Sequence, residues 1–216
     1  MQSVRVGAVR DSVYALGLQT LGNETKIIAA GGEGDFIVAR FNADGTRDAA
    51  FGSGQEFGSV IGAARAVVVD PDGQRIAFAG HVGHDWAIVQ VKADGSVDEA
   101  FGAGGRVLTK VSTTNWDEAQ AIVRQADGKL VAGGWVYAGN GSNGDFAVAR
   151  YALDGQLDAS FGNAGITITP MAPTTKADEA YAMTLQADDR VPTVRSILAG
   201  SANDANRDFA VTRYWH

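Results

Sequence analysis

The chain has 216 residues and a net charge of −7, with 25 Asp and Glu against 18 Lys and Arg, no cysteine, and 28 glycines against four prolines. Disulfides and thiolate chemistry are thereby excluded, and without a Lys/Arg cluster to displace counterions from phosphates neither nucleic acid nor an anionic membrane surface is an expected partner. No apolar run reaches the length of a membrane span, and Met1-Gln2-Ser3-Val4-Arg5 lacks the charged head and apolar stretch of a signal peptide.

In chain order, the sequence resolves into short runs rich in Val, Ile, Ala and aromatics, bounded by Gly, Asn and Asp, and these predict strands. Helical periodicity is not sustained anywhere for three turns. Ser3-Val4-Arg5-Val6 is a first run, Leu21-Gly22-Asn23 marks the turn between the second and third runs, and Asp35–Phe41 is the fourth. The stereotyped connection Asp44–Gly52 follows. The second copy carries Pro71-Asp72-Gly73 at its hairpin, Asp85–Val91 as fourth run, and the connection Asp94–Gly102. The third is the clearest, with runs Arg106–Val111, Ala119–Arg124, Lys129–Gly133 and Asp145–Tyr151, the turn Ala126-Asp127-Gly128, and the connection Asp154–Gly162. The last has Asp188-Asp189 at its hairpin and ends its fourth run, Asp208–Tyr214, two residues before the terminus. In Pro71-Asp72-Gly73 and Ala126-Asp127-Gly128 the glycine is expected to supply the positive φ of a primed hairpin turn.

The fourth runs start at 35, 85, 145 and 208, so the copies lie 50, 60 and 63 residues apart, a period that suggests a propeller or another array. Along Asp145–Tyr151, Phe146 and Val148 face one way while Ala147, Ala149 and Tyr151 face the other, because side chains alternate on a strand. Both faces are apolar, which fits sheets stacked face to face. The expected fold is all-β: a β-propeller of four four-stranded blades, or half of an eight-bladed ring completed by a homodimer. The whole chain reads as one repeat domain, with copies at 1–52, 53–102, 103–162 and 163–216.

The segment Asp145–Gly165, followed by an acidic-alanine stretch and the Asp-Gly-Lys-Leu-Val pattern seen at 127–131, resembles the bacterial delta-60 repeat. The resemblance runs over essentially the whole chain and is weakest in the second copy, where Trp86, Gln90 and Val91 replace Phe, Arg and Tyr. It implies a propeller-like fold and an exported or cell-surface setting in a bacterium. It brings no catalytic residue and no ligand.

In an up-and-down blade, the loops after runs one and three share one end. Those loops vary from copy to copy (Gly31–Gly34, Gly80–His84, Gly134–Gly144, Gly200–Arg207, with Ser112–Trp116 and Met171–Ala177), whereas the other end repeats its Asp-Gly turns. Function usually rides on irregular loops held by rigid strands, so a site is expected at the variable end. Asp35, Asp85, Asp145 and Asp208 open the fourth runs there, and Asp11, Asp117-Glu118 and Asp178-Glu179 open second runs. They read either as a negative rim for a cationic ligand or, for the opening Asp residues, as acceptors for loop amides.

Trp116, Trp135 and Tyr137 stand in or beside the variable loops, where a flat ring suits sugar stacking or covers the end of the core. His81, His84 and Asp85 offer a transition metal such as zinc two imidazoles and a carboxylate, against the commoner reading of solvated loop histidines. Asp204-Ala205-Asn206-Arg207-Asp208 spaces oxygens as calcium loops do, but lacks their glycine and terminal acid and reads first as a hairpin loop. A divalent metal, calcium or zinc, is the only cofactor the residues suggest. Trp86 is expected in the core and Trp215 at the closure of the ring, while Arg40, Arg150 and Arg213 are read as structural charges needing partners. No nucleophile elbow, phosphate loop or dinucleotide fingerprint is present. The expected role is a binding module for a glycan, peptide or protein at the variable acidic end. The alternatives are a hydrolase or lyase working through Asp/Glu with or without His81 and His84, and a structural spacer.

Overall fold

The computed structural model of the chain describes residues 12–32, 34, 36–54, 62–112, 116–138, 143–170, 178–187, 195–203 and 207–215. Ser3–Val6, Asp11, Asp35, the Asp188-Asp189 turn, and loop residues 113–115, 139–142, 171–177 and 204–206 lie outside the described residues. The strands are β1 (Val13–Leu21), β2 (Glu24–Gly31), β3 (Ile37–Phe41), β4 (Gly62–Val69), β5 (Arg75–Val82), β6 (Asp85–Lys92), β7 (Arg106–Thr109), β8 (Asp117–Arg124), β9 (Leu130–Ala138), β10 (Asn143–Tyr151), β11 (Ile166–Thr169), β12 (Glu179–Gln186), β13 (Arg195–Asn203) and β14 (Arg207–Trp215). The only helical element among the described residues is a 3-10 turn at Phe51–Gly54.

These strands form four meander sheets in the orders β1-β2-β3, β4-β5-β6-β7, β8-β9-β10-β11 and β12-β13-β14, the local construction of propeller blades. The sheets do not follow the copy boundaries. β7 and β11 are the first runs of copies three and four, yet each joins the sheet of the copy before it, with Ala147 of β10 opposite Ile168 of β11. The stereotyped connection is the cause. After β10 the chain turns back on itself, with Tyr151 bridged to Leu157, Asp158 N donating to Arg150 O and Arg150 N donating to Gly165 O. The returning segment is therefore delivered alongside the strand it has just left. Val91 with Val97, and the Gln90 amide with Gly105 O, repeat the device after β6.

The connection is held by its own polar residues. Arg40 Nε bonds Asp48 at 2.9 Å, while its Nη1 reaches Gln19 Oε1 and the carbonyl of Ala93 in the next copy. Arg150 likewise sits 3.0 Å from Asp158, and Gln90 substitutes as a neutral donor to Asp98 at 2.9 Å. Each guanidinium also lies over the Phe of its connection, Arg40 on Phe51 and Arg150 on Phe161. The expected partner thus comes from the residue's own connection as well as from the neighbouring copy.

The hairpin turns depart from the primed geometry expected for them. Gly73 and Gly128 have φ of 72° and 87°, but the residues before them do not enter the left-handed region that a primed turn requires. Instead Gly73 N donates to Asp70 O and Asp70 N to Arg75 O, so only the glycine is left-handed.

The described chain divides into two compact units, one comprising Met1–Gly83 and Ala87–Leu108, the other His84–Trp86 and Thr109–His216. In the first, β1 packs against β4 around Ile28, Phe36, Ile76, Phe78 and Val89, with Phe36 edge-on to Phe78 at 6.4 Å. In the second, β12 packs on β8 and β9 around Val131, Phe146, Val148, Phe161, Leu198 and Tyr214. Phe146, Ala147, Val148, Ala149 and Tyr151 are all fully buried, as the two apolar faces of that run require. Trp86 is fully buried too. Trp215, expected at a closure, is instead 59% exposed, with Arg195 stacked 3.7 Å over its ring.

Candidate functional site: paired acids and aromatic rings at the strand ends

One backbone device fixes where the first strand of each sheet begins. β1, β4, β8 and β12 all carry a register shift close to their start, at Val13/Ala15, Ala64/Ala66, Ala119/Ala121 and Ala180/Ala182. Opposite each shift stands a glycine, and a Cβ on Gly31, Gly80, Gly134 or Gly200 would fall 1.8, 1.9, 2.1 or 2.0 Å from the carbonyl oxygen of Ser12, Ala63, Glu118 or Glu179. Bulges at sheet rims re-aim the residues beside them. On β8 and β12 those residues are the acids that open the second runs, Asp117-Glu118 and Asp178-Glu179.

A second device ties successive copies together. Gly62 N donates to Gly34 O at 3.1 Å, Asp117 N to His84 O at 3.0 Å, and Asp178 N to Gly144 O at 2.8 Å. Each bond joins the residue before an opening Asp to the first residue of the next second run. Where that residue is acidic, its carboxyl and that of the opening Asp lie near enough for one charge to act on the other: Asp85 on Asp117, and Asp178 on Asp145. In the first unit Gly62 occupies the corresponding place, so the pair is not formed there.

Asp117 is fully buried. Its Oδ2 accepts from the Ser112 amide. Burial pushes the carboxyl up to about 6, and the nearby Asp85 charge adds to the rise, against the pull of the Ser112, Val111 and Tyr137 amides. Asp145 is raised as well, by burial first and by the charge of Asp178 second. Asp178 and Glu118 are buried, and the half-buried Glu179 accepts the Tyr181 hydroxyl.

The aromatic residues take different places. Trp116, next to Asp117, is 43% exposed, and the exposed His84 ring stacks on it at 5.1 Å and 27°. Trp135 is buried, edge-on to Tyr137 at 5.0 Å, and its carbonyl accepts from Trp86 Nε1 at 3.3 Å. It covers the end of the core, and Trp116 is the ring that faces solvent. His81 lies in the first unit, opposite Ala63 on β4, whereas His84 and Asp85 belong to the second. Among the described residues no three His, Asp or Glu side chains gather into a group able to hold a metal.

The second unit therefore holds Trp116, Asp117, Glu118, Trp135, Tyr137, Asp178, Glu179, His84 and Asp85. Ser112 and Tyr181 are additions that sequence reasoning missed. The first acts through its amide, which leaves no trace in the sequence, and the second sits two residues after Glu179 in a strand, the spacing that puts both on one face. A surface cavity of about 540 Å³ along β11, lined by Val111, Gly162, Asn163, Ile166, Thr167 and Ile168, contains none of the acids.

A family model described as "Domain of unknown function (DUF5122) beta-propeller" matches residues 25–51 and 125–161, the third and fourth runs with their connection in copies one and three. The match supports a β-propeller repeat family. No curated protein matches the chain. Among solved structures, an endo-arabinase from Bacteroides thetaiotaomicron VPI-5482 is similar with a TM-score of 0.43 and 10% identity, over 91% of this chain and 73% of that one. A glycoside hydrolase is similar with a TM-score of 0.42 and 12% identity, over 94% of this chain and 46% of that one, so the chain spans less than half its length. Neither likeness carries an argument about chemistry.

Proposed function

We propose that the chain is a ligand-binding β-propeller module whose site is the acidic, aromatic set of strand ends in the second unit, and that its ligand is a glycan. The observation that carries this reading is the exposed Trp116 ring, backed by His84 and followed directly by Asp117. A sugar presents an apolar face to such a ring and hydroxyls to neighbouring carboxylates. Neither Trp135 nor the cavity along β11 offers that combination. The exported or cell-surface setting implied by the delta-60 resemblance belongs to the same proposal.

The test is a thermal melt of the full chain against a panel of neutral and basic oligosaccharides, with peptides as a separate arm. A ligand at a hundred times its dissociation constant adds about 2.7 kcal/mol of stability, a visible shift. The expected result is an oligosaccharide shift that Trp116→Ala abolishes and Trp135→Phe retains. A shift with peptides alone would replace the glycan, and no shift with any arm would leave the spacer.

A hydrolase or lyase is the second reading, favoured by one observation. A carboxyl held protonated up to about 6 beside a second carboxylate, as Asp117 is beside Asp85, is the arrangement of acid–base cleavage of glycosidic bonds. New reducing ends or unsaturated products from the shifted oligosaccharide, lost in Asp117→Asn, would establish it.

A further inference from the structure

Side chains alternate along a strand, so a residue inserted by a bulge takes an aim that alternation does not assign. In each sheet one residue at the register shift has no partner position across the ladder: Tyr14 in β1, Arg65 in β4, Gln120 in β8 and Tyr181 in β12. Alanine follows it every time, as Ala15, Ala66, Ala121 and Ala182, so the inserted residue changes from copy to copy while its neighbour does not. Ala64, Ala119 and Ala180 precede three of them and are fully buried, yet Arg65 and Gln120 are half-buried and Tyr181 is 46% exposed. Tyr14 is 41% exposed. The bulge, with a glycine held opposite it, therefore presents one variable side chain per copy from a constant backbone. Recognition is carried in that way by scaffolds whose frame does not change.

In the first unit two of these residues meet. The Arg65 guanidinium lies over the Tyr14 ring, 4.0 Å from its centroid, and joins the start of β1 to the start of β4. A guanidinium that stacks through its face keeps its N–H groups at its edge, and that fork matches a carboxylate. We propose that Tyr14 and Arg65 form a binding site for the carboxylate of an acidic sugar, with Arg65 on the carboxylate and the Tyr14 hydroxyl on a hydroxyl of the sugar ring. One guanidinium on a chain of net charge −7 suits a monoanion, whereas a phosphate dianion meets more repulsion than a single fork offsets. The site lies in the unit that does not contain Trp116, and it stands whether or not Trp116 meets a glycan.

The experiment is isothermal titration calorimetry of the full chain with a galacturonate trimer. The same trimer methyl-esterified at its carboxyls and a peptide of Asp and Glu serve as the other arms. The expected result is saturable binding of the free acid, weakened by added sodium chloride, and none of the ester. Arg65→Gln is expected to weaken binding about tenfold. Glutamine stands at the same bulge in the third copy, as Gln120, so this variant keeps the backbone it tests. Tyr14→Leu is expected to weaken binding about threefold, because the guanidinium loses the ring that orients it. Trp116→Ala is expected to leave the affinity unchanged, which separates a failure of this site from a failure of the glycan site in the other unit. Equal binding of the ester, full affinity in Arg65→Gln, or no binding of the trimer would overturn the proposal. Binding of the acidic peptide alone would overturn it too, by assigning the site to a protein partner.

Discussion

Aspartate has two opposite physical states in this chain, and they separate its two ends. In the stereotyped connections Asp44, Asp94 and Asp158 accept the amide two residues on, and Thr46, Ser96 and Ser160 add a hydroxyl. Their carboxyls are held below the usual range, led by those hydroxyl bonds. Asp158 is depressed furthest, with Lys129 at 2.9 Å and Arg150 at 3.0 Å supporting Ser160. At the other end, Asp117 and Asp145 are raised by burial. For Asp158 the consequence is an acid-sensitive contribution. Its folded carboxyl titrates below its unfolded one, so the stabilisation is complete above the unfolded value near 4 and disappears as pH falls through the folded value. Asp158→Asn is expected to lower stability by about 1–2 kcal/mol at pH 7, with the gap to the wild type closing below about pH 4. Urea denaturation across pH measures both quantities, and a gap independent of pH would show that the charge is not what matters. The turn chemistry of these connections is legible in the sequence because donor and acceptor are two residues apart. The pairing of Asp85 with Asp117 is not, because it depends on which copies lie side by side.

Each sheet is set by glycines of two physically different kinds. Gly80 has an ordinary φ, but its Cβ position is occupied by the Ala63 carbonyl oxygen 1.9 Å away. Gly22 has φ of 60° at the β1–β2 turn and open space around it. Gly80→Ala must therefore push two hydrogen-bonded strands apart, and a loss of more than about 3 kcal/mol is expected. Gly22→Ala meets only the left-handed backbone penalty of about 1–2 kcal/mol. Chemical denaturation of the two variants side by side is the measurement, and equal losses would remove the steric account. The contrast also shows what a sequence exposes at this scale. Strand identity and the two-sided burial of Asp145–Tyr151 follow from alternation along a single run, which is local information. The place of β7 and β11 does not. The repeat unit suggests that a first run belongs with the three that follow it, but the connection's hydrogen bonds return it to the strand before. Trp135 is a related case: its position in the repeat is open to Gly, His or Ser, yet in this copy the ring closes over the core.

Taken unit by unit, the molecule leaves apolar strand faces uncovered. On β1, Leu16 and Leu18 are 69% and 67% exposed on the face opposite Gly17, which lies against Val67. In the second unit Phe209 is 82% exposed, and Val211 and Tyr181 stand open with it on the last sheet. Large apolar side chains exposed together on a strand are candidates for an association surface. The occupant expected from the sequence is a second copy of the chain completing a larger ring, which would bring one chain's exposed face against the other's. Sedimentation equilibrium is therefore expected to give twice the 22.5 kDa mass of the chain. Leu16→Gln combined with Leu18→Gln should return the mass to that of one chain. Its effect on the stability of the separated chain should stay within about 0.5 kcal/mol, because side chains already in water lose nothing by becoming polar. A wild-type mass of one chain, or a dimer indifferent to both substitutions, would place the contact elsewhere and leave Leu16 and Leu18 without a role in association.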